Sequence, residues 1–328
     1  MMKIGIAGNG KIVPEMLDAI NQIEDIKVTA ICARPQSEAK ARAIADKHNF
    51  YLIYTDYAAM LQDDDLDFIY IAVPNSLHYS YAKQALEAGK NVICEKPFTV
   101  TAAQAQEISE ITRRKQLFLF EAISLIYSPN FTYFKQNLNK IGKLRYVHAN
   151  YSQYSSRYDK YLNHEVAPVF DPKLAGGSLY DLNIYNLHYI IGLFGKPDKI
   201  TYNANLGFNG IDTSGTALLH YPEFTAICAA AKDSESINGI IFQGEQGYMH
   251  LVGAPNTSKL IEVHLKHQET TLVNKEQYNH RMTDEFIAFK QMYKAKDYHA
   301  CYARLDHSLT VMQVLAQARE NSNLNFDM

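Results

Sequence analysis

Two hydrophobic periodicities divide the chain. Over roughly the first 120 residues, short apolar runs alternate with stretches whose apolar positions recur every three or four residues. Residues 4–7, 26–33, 68–73, 92–94 and 117–120 read as strands, and 13–23, 36–48, 76–88 and 101–115 as helices. The run "FIYIAV" at 68–73 is apolar throughout, as a strand covered on both faces must be. The third helix has Asn75 or Ser76 as its cap, Leu77, Tyr81, Ala82, Ala85 and Leu86 on one face, and Gly89 at its end. Thr101 and Gln104 form a capping box, and Arg113, Arg114 and Lys115 complement the dipole at the far end of that helix. Repeated strand–helix–strand units predict a doubly wound parallel sheet.

After residue 122 the pattern changes. Strands at 143–153, 199–206, 216–220, 226–231, 239–243 and 248–252 follow each other closely, joined by turn signals such as "YPEF" and "GEQG". That spacing predicts a large, mostly antiparallel sheet, with helices such as 183–193 on one face and a strong final helix at 305–320. The expected fold class is α/β: a parallel doubly wound domain at 1–121, then an α+β domain with an open sheet at 122–328. A sheet covered on one face suits pairing with its twin, so a homodimer or dimer of dimers is expected.

Composition narrows the function. The 328 residues are 47% apolar and 20% charged, with a net charge of -3, the profile of a soluble enzyme rather than a disordered chain or a basic nucleic-acid binder. No run approaches the ~18 apolar residues of a membrane span, and the start "MMKIGIAGNG" lacks the parts of a signal peptide. Cys32, Cys94, Cys228 and Cys301 are far apart, which suits the cytoplasm and argues against a zinc site or a disulfide frame.

Candidate chemistry begins at "KIGIAGNGKIVPEML". Gly8 permits a tight turn after the first strand, and Gly10 lets a pyrophosphate approach the N-terminus of the next helix. Val13 stands where this fingerprint has Gly or Ala. Two other motifs are set aside. Gly5 to Lys11 fits a P-loop start, but Ile12 offers no hydroxyl for magnesium. Tyr79 and Lys83 have the Y-x-x-x-K spacing of short-chain dehydrogenases but fall on a helix too early in the chain. At the end of the second strand, Ala33 takes the place of the acid that accepts from an NAD ribose, and Arg34 follows. A guanidinium there attracts a 2′-phosphate, which favours NADP over NAD.

The segments "GNGKI", "IAVPNSLHYSYAKQALEAGKNVICEKPF", "GGSLYDLNIYNLHYIIGLFGKP" and "GEQGYMHL" together resemble the Gfo/Idh/MocA oxidoreductases. "FEAI" at 120–123, and Tyr rather than His at 185, resemble the glucose–fructose oxidoreductase and dihydrodiol dehydrogenase branch. The resemblance implies a Rossmann domain followed by an open-sheet domain. It also implies hydride transfer between NAD(P) and a sugar, polyol or related cyclic hydroxy or keto compound. By the same resemblance Gly8, Asn9, Gly10, Lys11 and Ile12 hold the pyrophosphate, and Ala33 and Arg34 meet the adenosine ribose. Pro74, Asn75 and His78 lie near the nicotinamide half, and Glu95 contacts its ribose. Lys96 reaches the reacting oxygen, with a cis bond before Pro97, and Asp181 and Tyr185 occupy the two catalytic positions of the second domain.

Elementary chemistry allows these roles. Hydride transfer leaves charge on the substrate oxygen, which a cation such as Lys96 stabilises and an acid/base group protonates. A positive charge near a tyrosine favours its phenolate, so Tyr185 suits the second task. Asp181, Tyr185 and His188 are spaced i, i+4 and i+7 on one helix face. Spacing alone favours an N-cap aspartate and two core residues with satisfied polar tips; the resemblance reverses that preference. For His188, proton relay, substrate contact and structural hydrogen bond are all open. Two rival readings are a non-catalytic dinucleotide sensor and an NAD-dependent dehydrogenase of the inositol type. Glu95, Lys96, Asp181 and Tyr185 oppose the first; Tyr185 and Arg34 oppose the second.

Overall fold

A computed structural model of the chain describes residues 1–322 and Leu324. They form two compact units, Met1–Ala122 with His280–Leu309, and Ile123–Asn279 with the chain from Thr310 onward. The sequence reading gave all of 122–328 to the second domain; the packing returns 280–309 to the first unit.

The first unit is built on six parallel strands: β1 (Met2–Ala7), β2 (Ile26–Cys32), β3 (Leu52–Tyr54), β4 (Phe68–Ile71), β5 (Asn91–Glu95) and β6 (Leu119–Ala122). Their order across the sheet is β3-β2-β1-β4-β5-β6, so the expected doubly wound fold is present. Connecting helices are α1 (Ile12–Ile20), α2 (Glu38–Lys47), α3 (Tyr57–Leu61), α4 (His78–Glu87) and α5 (Ala102–Lys115). The short β3 and α3 escaped the sequence reading, because three half-exposed residues and one helical turn carry no clear periodicity. The capping box of α5 is formed as expected, with Thr101 and Gln104 each bonding the other's backbone. Helix α4 instead follows a short 3-10 turn at Asn75–Leu77 and has no side-chain cap. Val13, out of place in the fingerprint, is fully buried and packs without a break in α1.

Helix α9 (Thr283–Ala295) covers β4 and β6 with aromatic rings. Phe289 stacks on Phe120 at 4.4 Å, and Tyr293 meets Phe68 edge-on at 5.0 Å. Fully buried rings such as Phe68, Phe120 and Phe289 each contribute about 1.5–3 kcal/mol. The apolar outer positions of β4 and β6 therefore need the returning segment, which neither strand reveals by itself.

The second unit is an eight-stranded sheet. It comprises β7 (Leu144–Ser152), β8 (Lys199–Leu206), β9 (Asp212–His220), β10 (Thr225–Ala231), β11 (Gly239–Gly244), β12 (Gly247–Val252), β13 (Leu260–Leu265) and β14 (Thr271–Val273). The order is β14-β13-β12-β11-β7-β10-β9-β8; β7 and β10 are parallel and every other pair is antiparallel. Alternate residues such as Val147, Ala149, Ala226, Cys228, Ile240 and Phe242 are buried. The opposite face carries His148, Leu218, Ile227, Ile241 and His250, none fully buried. The remaining helices are α6 (Pro129–Asn137), α7 (Tyr158–Leu162), α8 (Ile184–Phe194) and α10 (Tyr298–Glu320), whose residues are shared between the two units at Leu309/Thr310. No helix among the described residues is long and apolar enough to cross a membrane.

Candidate active site

In the first unit the strand order reverses between β1 and β4, and the loops after β1, β2, β4 and β5 leave the same sheet edge. Gly8 has φ +106°, and a Cβ there would stand 2.4 Å from the carbonyl oxygen of Ala72. Only glycine lets the β1 loop pass the end of β4 this closely. Gly10 is different: a Cβ would meet only Ala72 O, at 3.6 Å, an ordinary contact. Among the described residues nothing else crowds Gly10, so the space beside it is open to a ligand. Asn9 anchors the loop by donating to Ser37 O at 3.1 Å. Lys11 occupies the N-cap of α1 without a side-chain cap, and Ile12 opens the helix. An open glycine, an uncapped helix start and an exposed lysine fit a pyrophosphate. Ala33 is buried at the end of β2 and Arg34 is exposed beside it, as a group reaching for a 2′-phosphate would be.

The "EKPF" turn after β5 is clamped from three sides. Tyr70 of β4 donates to Glu95 at 2.5 Å. Glu121 of β6 accepts from the backbone N–H of Phe98 at 3.0 Å. His78 of α4 sets Nδ1 at 2.7 Å from Pro97 O and Nε2 at 3.0 Å from Val73 O. The Lys96–Pro97 bond is cis. Pro74 is exposed, Asn75 and Lys96 are half-buried, and Glu95 and His78 are buried. Burial pushes the Glu95 carboxyl above its usual range, against the pull of the Tyr70 hydroxyl and the charges of Lys96 and Arg281. Burial likewise lowers His78, against the two carbonyls that favour its protonated form. The His78 ring thus binds the two loops that flank it.

The set-aside pair Tyr79 and Lys83 is structural. Both bond Glu107 of α5, at 2.6 Å each.

In the second unit, a π-helical turn at Leu179–Asn183 precedes α8. Such turns alter the helical phase and are frequent at functional sites. Asp181 lies inside this turn, so it is not an N-cap; its carboxylate pairs with Lys232. Tyr185 is 7% exposed and its ring centre lies 5.7 Å from that of Tyr151. His188, one turn on, is fully buried. The helix is pinned to β10 by Asn183, which donates to Cys228 O at 2.9 Å, and Asn186, which donates to Ala229 O at 3.0 Å. Its start is held by Asp212, which accepts from Leu179 N–H at 2.6 Å and from Tyr202 Oη at 2.7 Å. Gly177, with φ +96°, makes room for that carboxylate: a Cβ would lie 2.0 Å from Asp212 Oδ1.

Sequence reasoning missed Lys232 and Asp212. The signal for Lys232 was the one that marked Lys96, a charge set directly after an apolar strand: "AICAAAK" parallels "VICEK". Asp212 lies in a loop-like stretch and carried no such signal. The tyrosine-rich segment after β7 is packed on its own rings. Tyr161 spends its hydroxyl on Asn209 at 2.7 Å, and its ring stacks on Phe170 and Phe208 at 4.7 and 4.5 Å. Among the described residues no group of His, Cys, Asp or Glu is arranged to hold a metal ion.

Comparison with known proteins agrees with this architecture. The model described as "Oxidoreductase family, NAD-binding Rossmann fold" matches residues 2–122, and "GFO/IDH/MocA C-terminal domain" matches 137–250. A scyllo-inositol 2-dehydrogenase (NADP(+)), IolU of Bacillus subtilis, is 30% identical over 324 residues, 99% of this chain and 98% of its own. The trans-1,2-dihydrobenzene-1,2-diol dehydrogenase of Bos taurus is 32% identical over 250 residues, covering 73% of this chain and 72% of its own. In structure, KijD10, a 3-ketoreductase from Actinomadura kijaniata in complex with NADP and TDP-benzene, matches with a TM-score of 0.87 over 98% of each chain. At 20% identity that likeness speaks for the fold.

Proposed function

Because the chain belongs to the Gfo/Idh/MocA family of oxidoreductases and is an NAD(P)-dependent enzyme of CH–OH and C=O groups, we propose that it uses NADP to oxidise a cyclic polyol, or to reduce the matching ketone. The observation that carries this reading is Lys96, half-buried at the end of β5 on a turn clamped by Tyr70, His78 and Glu121. A lysine carried on a turn held this firmly suits a point of positive charge.

The bound nicotinamide supplies or accepts the hydride. Gly8, Asn9, Gly10, Lys11 and Ile12 hold its pyrophosphate, and Arg34 with Ala33 receives the phosphorylated ribose. Pro74, Asn75 and Glu95 border the nicotinamide half. Lys96 stabilises negative charge on the substrate oxygen. The Tyr185 hydroxyl exchanges the proton of that oxygen. Asp181 accepts from the substrate, and His188, buried on the same helix, supports Tyr185.

Relatives that act on scyllo-inositol and on a cyclic dihydrodiol support the substrate class. Titration with NADPH and NADH, followed by turnover of inositols, dihydrodiols and aldoses, tests the reading. Tighter NADPH binding and turnover of a ring polyol support it; equal binding of both cofactors removes the role of Arg34. The same reading has the enzyme work in the cytoplasm, in keeping with four free, buried cysteines. It also pairs two copies through the open sheet face around His148, Ile241 and His250, which adjoin across β7, β11 and β12. A single-chain mass by light scattering would remove that pairing.

A further inference from the structure

We infer that Lys232 is a positioning residue that holds the Asp181 carboxylate in place; its bearing on the reaction rests on the proposed role of Asp181. Lys232 follows β10 directly, and its side chain is 5% exposed, whereas that of Asp181 is 28% exposed. The ammonium therefore reaches from the interior to a carboxylate that solvent can meet. Its backbone is fixed on both sides: Lys232 N–H donates to Thr213 O at 2.8 Å, and Ser155 N–H donates to Lys232 O at 2.9 Å. The Nζ atom lies 5.5 Å from the centre of the Phe170 ring, which walls its other side.

A buried ammonium is costly unless paired, and an apolar side chain would usually serve stability as well. A lysine in this place is better explained by what it holds. Asp181 sits in a π turn, a helical irregularity that is frequent at functional sites. The ion pair ties its carboxylate to a cation fixed in the interior. The start of the turn is fixed separately by Asp212, so one carboxylate anchors the backbone while the cation aims the other.

The test follows the Asp181 carboxyl directly, by carbon-13 NMR of aspartate-labelled protein, with Asp181→Asn for assignment. Removing the cation in Lys232→Met is expected to raise the titration midpoint of Asp181 by about one unit, while Lys232→Arg stays near wild type. Lys232→Gln, which keeps a polar end without the charge on a shorter stem, serves as the second variant if Met impairs folding. An unchanged midpoint in a folded, charge-free variant overturns the inference, whatever the reaction is. With the polyol found by the turnover screen, Lys232→Met is expected to lower kcat about tenfold or more, with KM nearly constant and activity restored by Arg. In an Asp181→Asn background the same change is expected to have no further effect. Full additivity would overturn the action through Asp181. A normal kcat in Asp181→Asn alone would instead overturn the proposed role of Asp181 and leave the NMR result standing for the pair.

Discussion

The Nδ1 atom of His78 lies 2.7 Å from the carbonyl oxygen of Pro97, across the gap between the start of α4 and the turn after β5. The other ring nitrogen meets Val73 O at 3.0 Å, so one imidazole ties the β4 loop to the lysine-bearing turn. Both partners are acceptors. The ring satisfies both only as imidazolium, which its burial resists. His78→Ala frees two carbonyls and removes the clasp. It is expected to destabilise the protein by about 1–3 kcal/mol in chemical denaturation and to weaken NADPH binding measured by fluorescence. Wild-type NADPH affinity in this variant would show that the clasp does not set the turn.

The sequence could not disclose this relationship, although it disclosed both ends of it. Apolar periodicity located β4, β5 and α4, and charge after an apolar run marked Glu95 and Lys96. What lies between elements, such as the reach of His78 to a carbonyl nineteen positions away, depends on packing that no local pattern encodes. The same holds in the second unit. The spacing of Asp181, Tyr185 and His188 predicted one helical face, but the π turn at Leu179–Asn183 shifts the phase ahead of Tyr185. Helix α9 was hidden for a related reason: its value lies in covering Phe68 and Phe120, two residues already explained as buried strand positions.

Lys96 is expected to be needed for chemistry and dispensable for cofactor binding. Lys96→Met keeps the aliphatic stem and loses the charge. Turnover is expected to fall by about 10²–10³-fold or more, as when a preorganised donor is lost from a charge-developing site. NADPH affinity should stay within about tenfold. Turnover near the wild-type rate would refute the assignment.

Arg34 separates two cofactors that differ by one phosphate. It is exposed at the end of β2, with no carboxylate at Ala33 to repel that phosphate. Arg34→Ala is expected to raise the Kd for NADPH about 10–100-fold, the usual cost of losing a charge-assisted bond. The Kd for NADH should barely move. Parallel weakening of both cofactors would show that Arg34 shapes the loop instead.

Tyr185 carries the proton in the proposed reaction, and Tyr185→Phe removes only its oxygen. The rate of the hydride step, followed as NADPH absorbance in single turnovers, is expected to fall by about 10²-fold or more. A normal rate in Tyr185→Phe with a strong loss in His188→Gln would move the proton to His188.

Asp212 links the start of the π turn to pH. Burial raises its carboxyl from 3.8 to about 7, although Tyr202 Oη and Leu179 N–H both favour the ionised form. A folded-state value above the unfolded one means that the folded protein keeps a proton which the unfolded chain has already released. Its stabilising contribution is therefore complete below about pH 4 and is lost progressively as pH rises to about 7. Asp212→Asn offers an oxygen to the same two donors and does not titrate. Between pH 5 and pH 8 the wild type is expected to lose more stability than this variant. The excess should be on the order of 2 kcal/mol, about two pH units of the window. Denaturant unfolding of both proteins at the two pH values measures the difference, in which other titrating groups cancel. Equal pH dependence would mean that Asp212 is ionised in the folded protein at pH 5. The turn would then be held by a full negative charge at its N-terminus, where the helix dipole favours one.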